Sequence, residues 1–171
     1  MAFRSLFTFP DPVNEKAART VAAGVVTISA VAIATQQPWL LVVLAAGFWA
    51  RVLTGPTLSP LGRLATSVVA PALGEPKPVP GVPKRFAQAI GAAFSTTAVL
   101  LWFAAGSHTA AMAVTGVLAS AAFLEAALGL CLGCKIFAAL IRTGIVPESV
   151  CEACADISLR HPEISHGPAR T

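Results

Sequence analysis

Between Arg19 and Arg51 no residue carries a charge, and the stretch is interrupted only by Gln36, Gln37 and Pro38. A helix of about 20 apolar residues is long enough to cross a bilayer's hydrocarbon core. The stretch therefore reads as two membrane helices joined by a tight turn. Composition agrees: of 171 residues 56% are hydrophobic and 12% charged, and the mean hydropathy is +0.74. An ordinary soluble domain is roughly 25% charged. A single core cannot hide this excess, because a chain of this length leaves roughly a third of its surface in water. A disordered chain, a secreted disulfide miniprotein and an ordinary cytosolic enzyme are excluded, and an integral membrane protein remains.

Four spans are expected, at residues 17–35, 39–53, 86–105 and 109–132, with Gly106, Ser107 and His108 joining the last two. The fold class is all-α: a polytopic membrane protein with four transmembrane helices in two hairpins, a cytoplasmic interfacial helix and a C-terminal helical hairpin. The segment before the first span holds Asp11, Glu15 and two prolines and no apolar run of signal length. That span is expected to act as an uncleaved anchor. Neither short turn holds a basic residue; all twelve Lys and Arg fall on one side of the spans or at that boundary, Arg19 at the start of the first span and Arg51 near the end of the second. The excess of positive charge on cytoplasmic loops then assigns both termini and the central loop to the cytoplasmic face of a plasma membrane, with the lipid bilayer as the first partner. The expected units are a cytoplasmic N-terminal segment at 1–16, a first hairpin at 17–54, an amphipathic helix and Pro-rich strap at 55–85, a second hairpin at 86–133, a Cys-containing helical hairpin at 134–158 and a flexible tail at 159–171.

Within the central loop, Ser59 and Pro60 form a good N-cap and first-turn pair. Leu61, Leu64, Val68 and Leu73 then recur at near-helical spacing. The segment is either an interfacial amphipathic helix or a packed connector between hairpins. The following GEPKPVPGVPK carries four prolines and reads as an extended strap.

Chemistry concentrates near the C-terminus. Cys131 and Cys134 form one C-x2-C pair, Cys151 and Cys154 a second, sixteen residues apart. A cytoplasmic location argues against a permanent disulfide. Zinc, or iron, could take four thiolates from two such pairs. Alternatively a C-x2-C pair at a helix start yields one attacking thiolate and one resolving thiol. Incidental burial is the plain alternative, since free Cys behaves as a small hydrophobe. The fourth span is expected to run on into a helix at 135–143, with Gly144 as its stop and Pro147 and Glu148 opening another helix. That register would bring Cys154 to Cys134. Glu125 is the one acidic residue inside a span, a functional candidate by default. It could manage a proton for the thiols, pair with Arg51, or bond Ser95, Thr96 or Thr97. His108, His161 and His166 read as plain surface residues. Nucleic acid is not an expected partner, as no aromatic-basic interleaving occurs and the chain has no Tyr.

Several runs resemble bacterial membrane proteins catalogued as domain of unknown function 4395. They are the segment from Asp11 to Lys16, the turn Gln37-Pro38-Trp39, the run from Arg51 to Leu61, Pro83 to Phe86, and Glu125 to Ile136, whose E-x5-C-x-G-C-K-I pattern is the most specific. The resemblance implies a compact four-span protein without an assigned activity. It also implies that the second cysteine pair belongs to only part of the family. The expected function is a cytoplasm-facing thiol–disulfide or sulfur-transfer relay, passing to a thioredoxin-like or rhodanese-like protein or within a larger membrane complex. Cys131, Cys134, Cys151, Cys154 and Glu125 would carry it. The other expectation is a non-catalytic scaffold or complex subunit with zinc or iron on the four cysteines.

Overall fold

A computed structural model of the protein describes residues 9–147. Cys151, Cys154, the far part of the unit expected at 134–158 and the whole of 159–171 lie outside the described residues. The fold is all-α apart from two short strands that pair with each other. Strand β1 (Val13–Asn14) leads into helix α1 (Glu15–Thr35), and a turn at Gln36 leads into α2 (Pro38–Thr54). A helical connector follows, built of α3 (Pro60–Leu64), a π-helical turn (Ala65–Val69) and α4 (Ala70–Ala72). Strand β2 (Pro78–Val79) precedes α5 (Gly81–Phe103), α6 (His108–Leu128) and α7 (Leu132–Arg142).

Local chemistry sets these boundaries. The Asn14 side chain accepts from the Lys16 backbone N–H at 3.0 Å and so caps α1. Gln36 takes the left-handed conformation, φ 54°, that ends the helix, and Pro38 opens α2 at a position where no backbone donor is needed. Ser59 caps α3 by accepting from the Gly62 N–H at 3.2 Å. The strap is extended only as far as Pro80. Its β2 part pairs antiparallel with β1, Val13 opposite Val79, and the Asp11 carboxylate accepts from the Gly81 N–H at 2.9 Å. The third long helix thus starts at Gly81, five residues before the expected 86, and takes Pro83 and Lys84 into its first turn.

Three helices, α1, α5 and α6, are long and apolar enough to cross a membrane; α2 is apolar but shorter. Consecutive helices pair, α1 with α2 and α5 with α6, and strong packing also runs across these pairs: α1 lies against α6 and α2 against α5. Val25, Leu44, Phe48, Ala92 and Leu118 form one core layer, and Ala32, Leu40, Leu41, Ala98 and Ala111 the next. Small residues set the spacing, as in membrane bundles where the backbones must approach closely. A Cβ at Gly91 would overlap the Phe48 ring, so the α2–α5 contact requires glycine there. The central connector packs on the bundle along one face and leaves the other open. Ala65, Ala70 and Leu61 pack on Ala17 and Val21 of α1, while Leu64, Val68 and Leu73 stay exposed on the outside.

Gly91→Val forces the Phe48 ring and its helix outward. Overpacking of this kind costs about 1–3 kcal/mol, so the variant should unfold at lower temperature in detergent than the wild type. Gly116→Ala, with open space around its Cβ position, should leave the midpoint unchanged.

Candidate functional site: a thiol pair at a helix start

The fourth long helix does not run to residue 132 as expected. It stops at Leu128, where Gly129 adopts φ 69°. The Gly129 N–H donates to the Glu125 carbonyl at 3.0 Å and the Leu130 N–H to the Leu124 carbonyl at 3.2 Å. This is the left-handed glycine stop common at helix ends. Arg19 of α1 reinforces it. Its guanidinium donates to the Ala126 carbonyl at 3.0 and 3.1 Å and to the Ala127 carbonyl at 2.9 Å, satisfying acceptors that the helix end leaves open.

The break makes Cys131 the N-cap residue of a new helix, α7, with extended backbone (φ −83°, ψ 102°). Cys134 then sits in its first turn. Two close contacts seat α7 on α5. A Cβ at Gly133 would overlap Ala87, and the Phe137 ring packs on Phe86 with centroids 5.4 Å apart. Cys131 is buried and Cys134 half-buried, and both are free thiols. Cys134, hydrogen-bonded to the Cys131 sulfur, holds the Cys131 thiol below the ordinary range. Lys84 acts in the same direction, against burial and the Glu125 charge. The same hydrogen bond, with burial, pushes Cys134 upward. A helix N-terminus is a favourable place for the thiolate that results.

Glu125 pairs with Lys84. The ammonium donates to Oε1 at 2.5 Å, and the two side chains are 9% and 14% exposed. This corrects both partners expected for Glu125. Arg51 instead donates to Gln88 Oε1 at 2.8 Å and to Ser59 Oγ at 3.2 Å, and lies over the Phe48 ring. Arg51 follows α2, which packs on α5 rather than on α6. Ser95 donates to carbonyls of its own helix, Thr97 does the same, and Thr96 accepts from the Trp49 indole. Lys84 was not among the expected site residues. Its only signal was its place in the Pro83–Phe86 run, and the pairing needed the early start of α5. Arg19 and Gly129 carried no signal of their roles.

An open cleft of about 710 Å³ fronts the thiols. Its walls are mostly apolar, among them Val79, Leu128, Phe137 and Ile141, and its charged residues are Glu15, Lys77, Lys84, Lys135 and Arg142, four of the five basic. Lys77 is engaged by Glu15 at 2.7 Å. Among the described residues no group of three His, Cys, Asp or Glu side chains is arranged to hold a metal. The first cysteine pair offers two sulfur atoms; the second pair lies outside the described residues. His108 stacks on Trp102, centroids 4.1 Å apart.

The model of the family described as Domain of unknown function (DUF4395) matches residues 13–142, and the chain belongs to that family. The match takes in Glu125, Cys131 and Cys134 and ends before Cys151. No curated protein and no solved structure matches the chain.

In a Cys151→Ser, Cys154→Ser background, iodoacetamide should alkylate Cys131 ahead of Cys134 at neutral pH. A lowered pKa leaves more thiolate at that pH, and the thiolate is the reacting form. Cys134→Ala removes the stabilising donor, so the pH of half-maximal Cys131 alkylation should rise. A profile that stays in place would show that the Cys134 contact does not tune Cys131.

Proposed function

We propose that this is a multi-pass plasma-membrane thiol protein whose Cys131–Cys134 pair exchanges disulfides with a water-soluble dithiol or disulfide partner. The observation that carries the reading is the position of Cys131: N-cap of α7, with Cys134 in the first turn and an open cleft in front that carries Lys135 and Arg142. In the forward reaction the Cys131 thiolate attacks one sulfur of a partner disulfide. A mixed disulfide forms and a partner thiolate leaves. Cys134 then gives up its proton and attacks Cys131 Sγ, so the internal disulfide closes and the second partner thiolate departs. The partner gains two electrons and the Cys131–Cys134 pair loses two. On a partner that carries a persulfide, the Cys131 thiolate would attack the outer sulfur, the partner's own thiolate would leave, and the persulfide would rest on Cys131. Glu125, tied to Lys84, is the group that would take and return the thiol proton. Cys151 and Cys154 would pass the disulfide onward to a cytoplasmic thioredoxin-like or rhodanese-like protein.

Orientation belongs to the same proposal. We read α2 as a fourth, shorter span, with its seventeen residues helped across by Arg51 at its end. The starts of α1 and α5 and the ends of α2 and α6 share one end of the bundle, where Lys16 donates to the Leu73 carbonyl and Arg85 to the Val52 carbonyl. Basic residues gathered at one end favour a cytoplasmic placement of that end, and with it both termini.

The test is stoichiometric. In the Cys151→Ser, Cys154→Ser background, the reduced protein should release two thiolates per chain from an aromatic disulfide reagent and close its own disulfide. With Cys134→Ser added, release should stop at one and the reagent should stay bound at Cys131. A Cys131–Cys134 pair that stops at two mixed disulfides would overturn the proposal. So would about one zinc per chain and four metal-protected thiols in full-length protein purified without chelator, the result a four-thiolate site requires.

A further inference from the structure

Behind the thiols lies a second cavity, of about 200 Å³, between α5, α6 and the start of α7. Among the described residues Cys131 is the one that lines both this cavity and the open cleft. The two spaces differ in character. The rear groove runs past Phe94, Val117 and Ala121 to a polar end at Gln88, Glu125 and Cys131. Phe94 and Val117 are 38% and 56% exposed and lie on helices apolar enough to span a membrane. The mouth therefore opens where acyl chains would surround the protein. The ion pair is divided in the same way, with Lys84 on the cleft and Glu125 on the groove.

We infer that the groove admits the ring of a lipid-soluble quinone, and that the Cys131–Cys134 dithiol passes its electrons to it. The inference rests on the thiol reading above and names the second substrate. The volume is below the roughly 300–1,000 Å³ of a drug-sized pocket, enough for one substituted ring with its tail left among the lipids. The end wall fits a quinone carbonyl: the Gln88 side-chain oxygen is held by Arg51, which leaves its amide NH2 to donate to the carbonyl beside a sulfur nucleophile. The reaction balances without another reactant. Two S–H bonds break and one S–S bond forms, while the quinone takes two electrons and two protons and leaves as the quinol. Glu125, a carboxylate in its pair with Lys84, would take the Cys134 thiol proton as the S–S bond closes and pass it to the quinone on the groove side. A water-soluble dithiol entering the cleft then reduces the Cys131–Cys134 disulfide and becomes a disulfide itself, so electrons move from water to membrane through one sulfur atom.

The test uses full-length protein with Cys151→Ser and Cys154→Ser, reduced and reconstituted in phosphatidylcholine vesicles. A decyl-tailed benzoquinone is one oxidant and an aromatic disulfide in the water is the other. The expected result is one quinol per internal disulfide formed. Ala121→Trp, which fills the groove, should slow quinol formation by about tenfold or more, the scale of losing a bound geometry, while the aqueous disulfide reacts as before. Val117→Trp, at an exposed position, should act in the same direction if Ala121→Trp does not fold. Disulfide formation with the aqueous oxidant but no quinol would overturn the quinone inference and leave the thiol reading standing. Quinol formation that neither tryptophan slows would also overturn it, as would a groove that holds only a lipid tail and never yields quinol. Failure of both oxidants to close the disulfide would overturn both readings.

Discussion

The ion pair between Lys84 and Glu125 is the constraint around which this end of the molecule is arranged. A lone carboxylate on an apolar helix is strongly disfavoured, and so is a lone ammonium beside it. Joined, they fix the first turn of α5 at the level of the last turn of α6. The chain must then turn at that level, and it does so within three residues. Gly129 takes the left-handed conformation, Arg19 binds the freed carbonyls, and α7 returns across α5. The cysteine pair is therefore set at a helix start as a consequence of where two charges meet. Removing either partner would leave the other buried and unmatched, a strongly destabilising change even where desolvation leaves the intact pair little net stability.

The long helices were legible in the sequence because an apolar run of membrane length has few alternatives. The turns were legible because Gln36-Gln37-Pro38 and Gly106-Ser107 interrupt those runs. The helix stop before Cys131 was not. Gly129 lies in a continuous apolar stretch, Leu128 to Leu132, and nothing in the local pattern separates this glycine from Gly116, which stays inside α6. What distinguishes it is the Arg19 guanidinium, more than a hundred residues away in the chain. Lys84 was obscure for a related reason. Four prolines marked its surroundings as a strap, whereas the pairing of β2 with β1 ends the extended part at Pro80 and lets α5 begin. Glu125 and the cysteines stood out by residue type, but which groups face them depends on helix pairing. Sequence-adjacent hairpins suggest neighbours within each hairpin, and the packing is stronger across them.

The same crossing explains the division of labour among the glycines. Gly91 lets Phe48 of α2 settle on α5, and Gly133 lets α7 settle on the next turns of that helix. Helix α5 is thus the common neighbour of α2, α6 and α7, and through Lys84 it also carries one half of the ion pair. Bundle packing and the placement of the thiol pair are two uses of a single helix, and strain on one face of α5 is passed to the other.

The unequal helix lengths have an elastic consequence. At about 1.5 Å per residue, the seventeen residues of α2 rise about 25 Å, against about 31–34 Å for α1, α5 and α6. In the four-span reading, the lipid beside α2 must thin locally, at a fraction of a kcal/mol for each ångström of mismatch. In that reading the protein is asymmetric around its rim, drawing the bilayer inward on one side and matching it on the other. Such a rim favours thin, sterol-poor membrane and orients neighbouring proteins, since two thinned edges placed together deform less lipid than two kept apart.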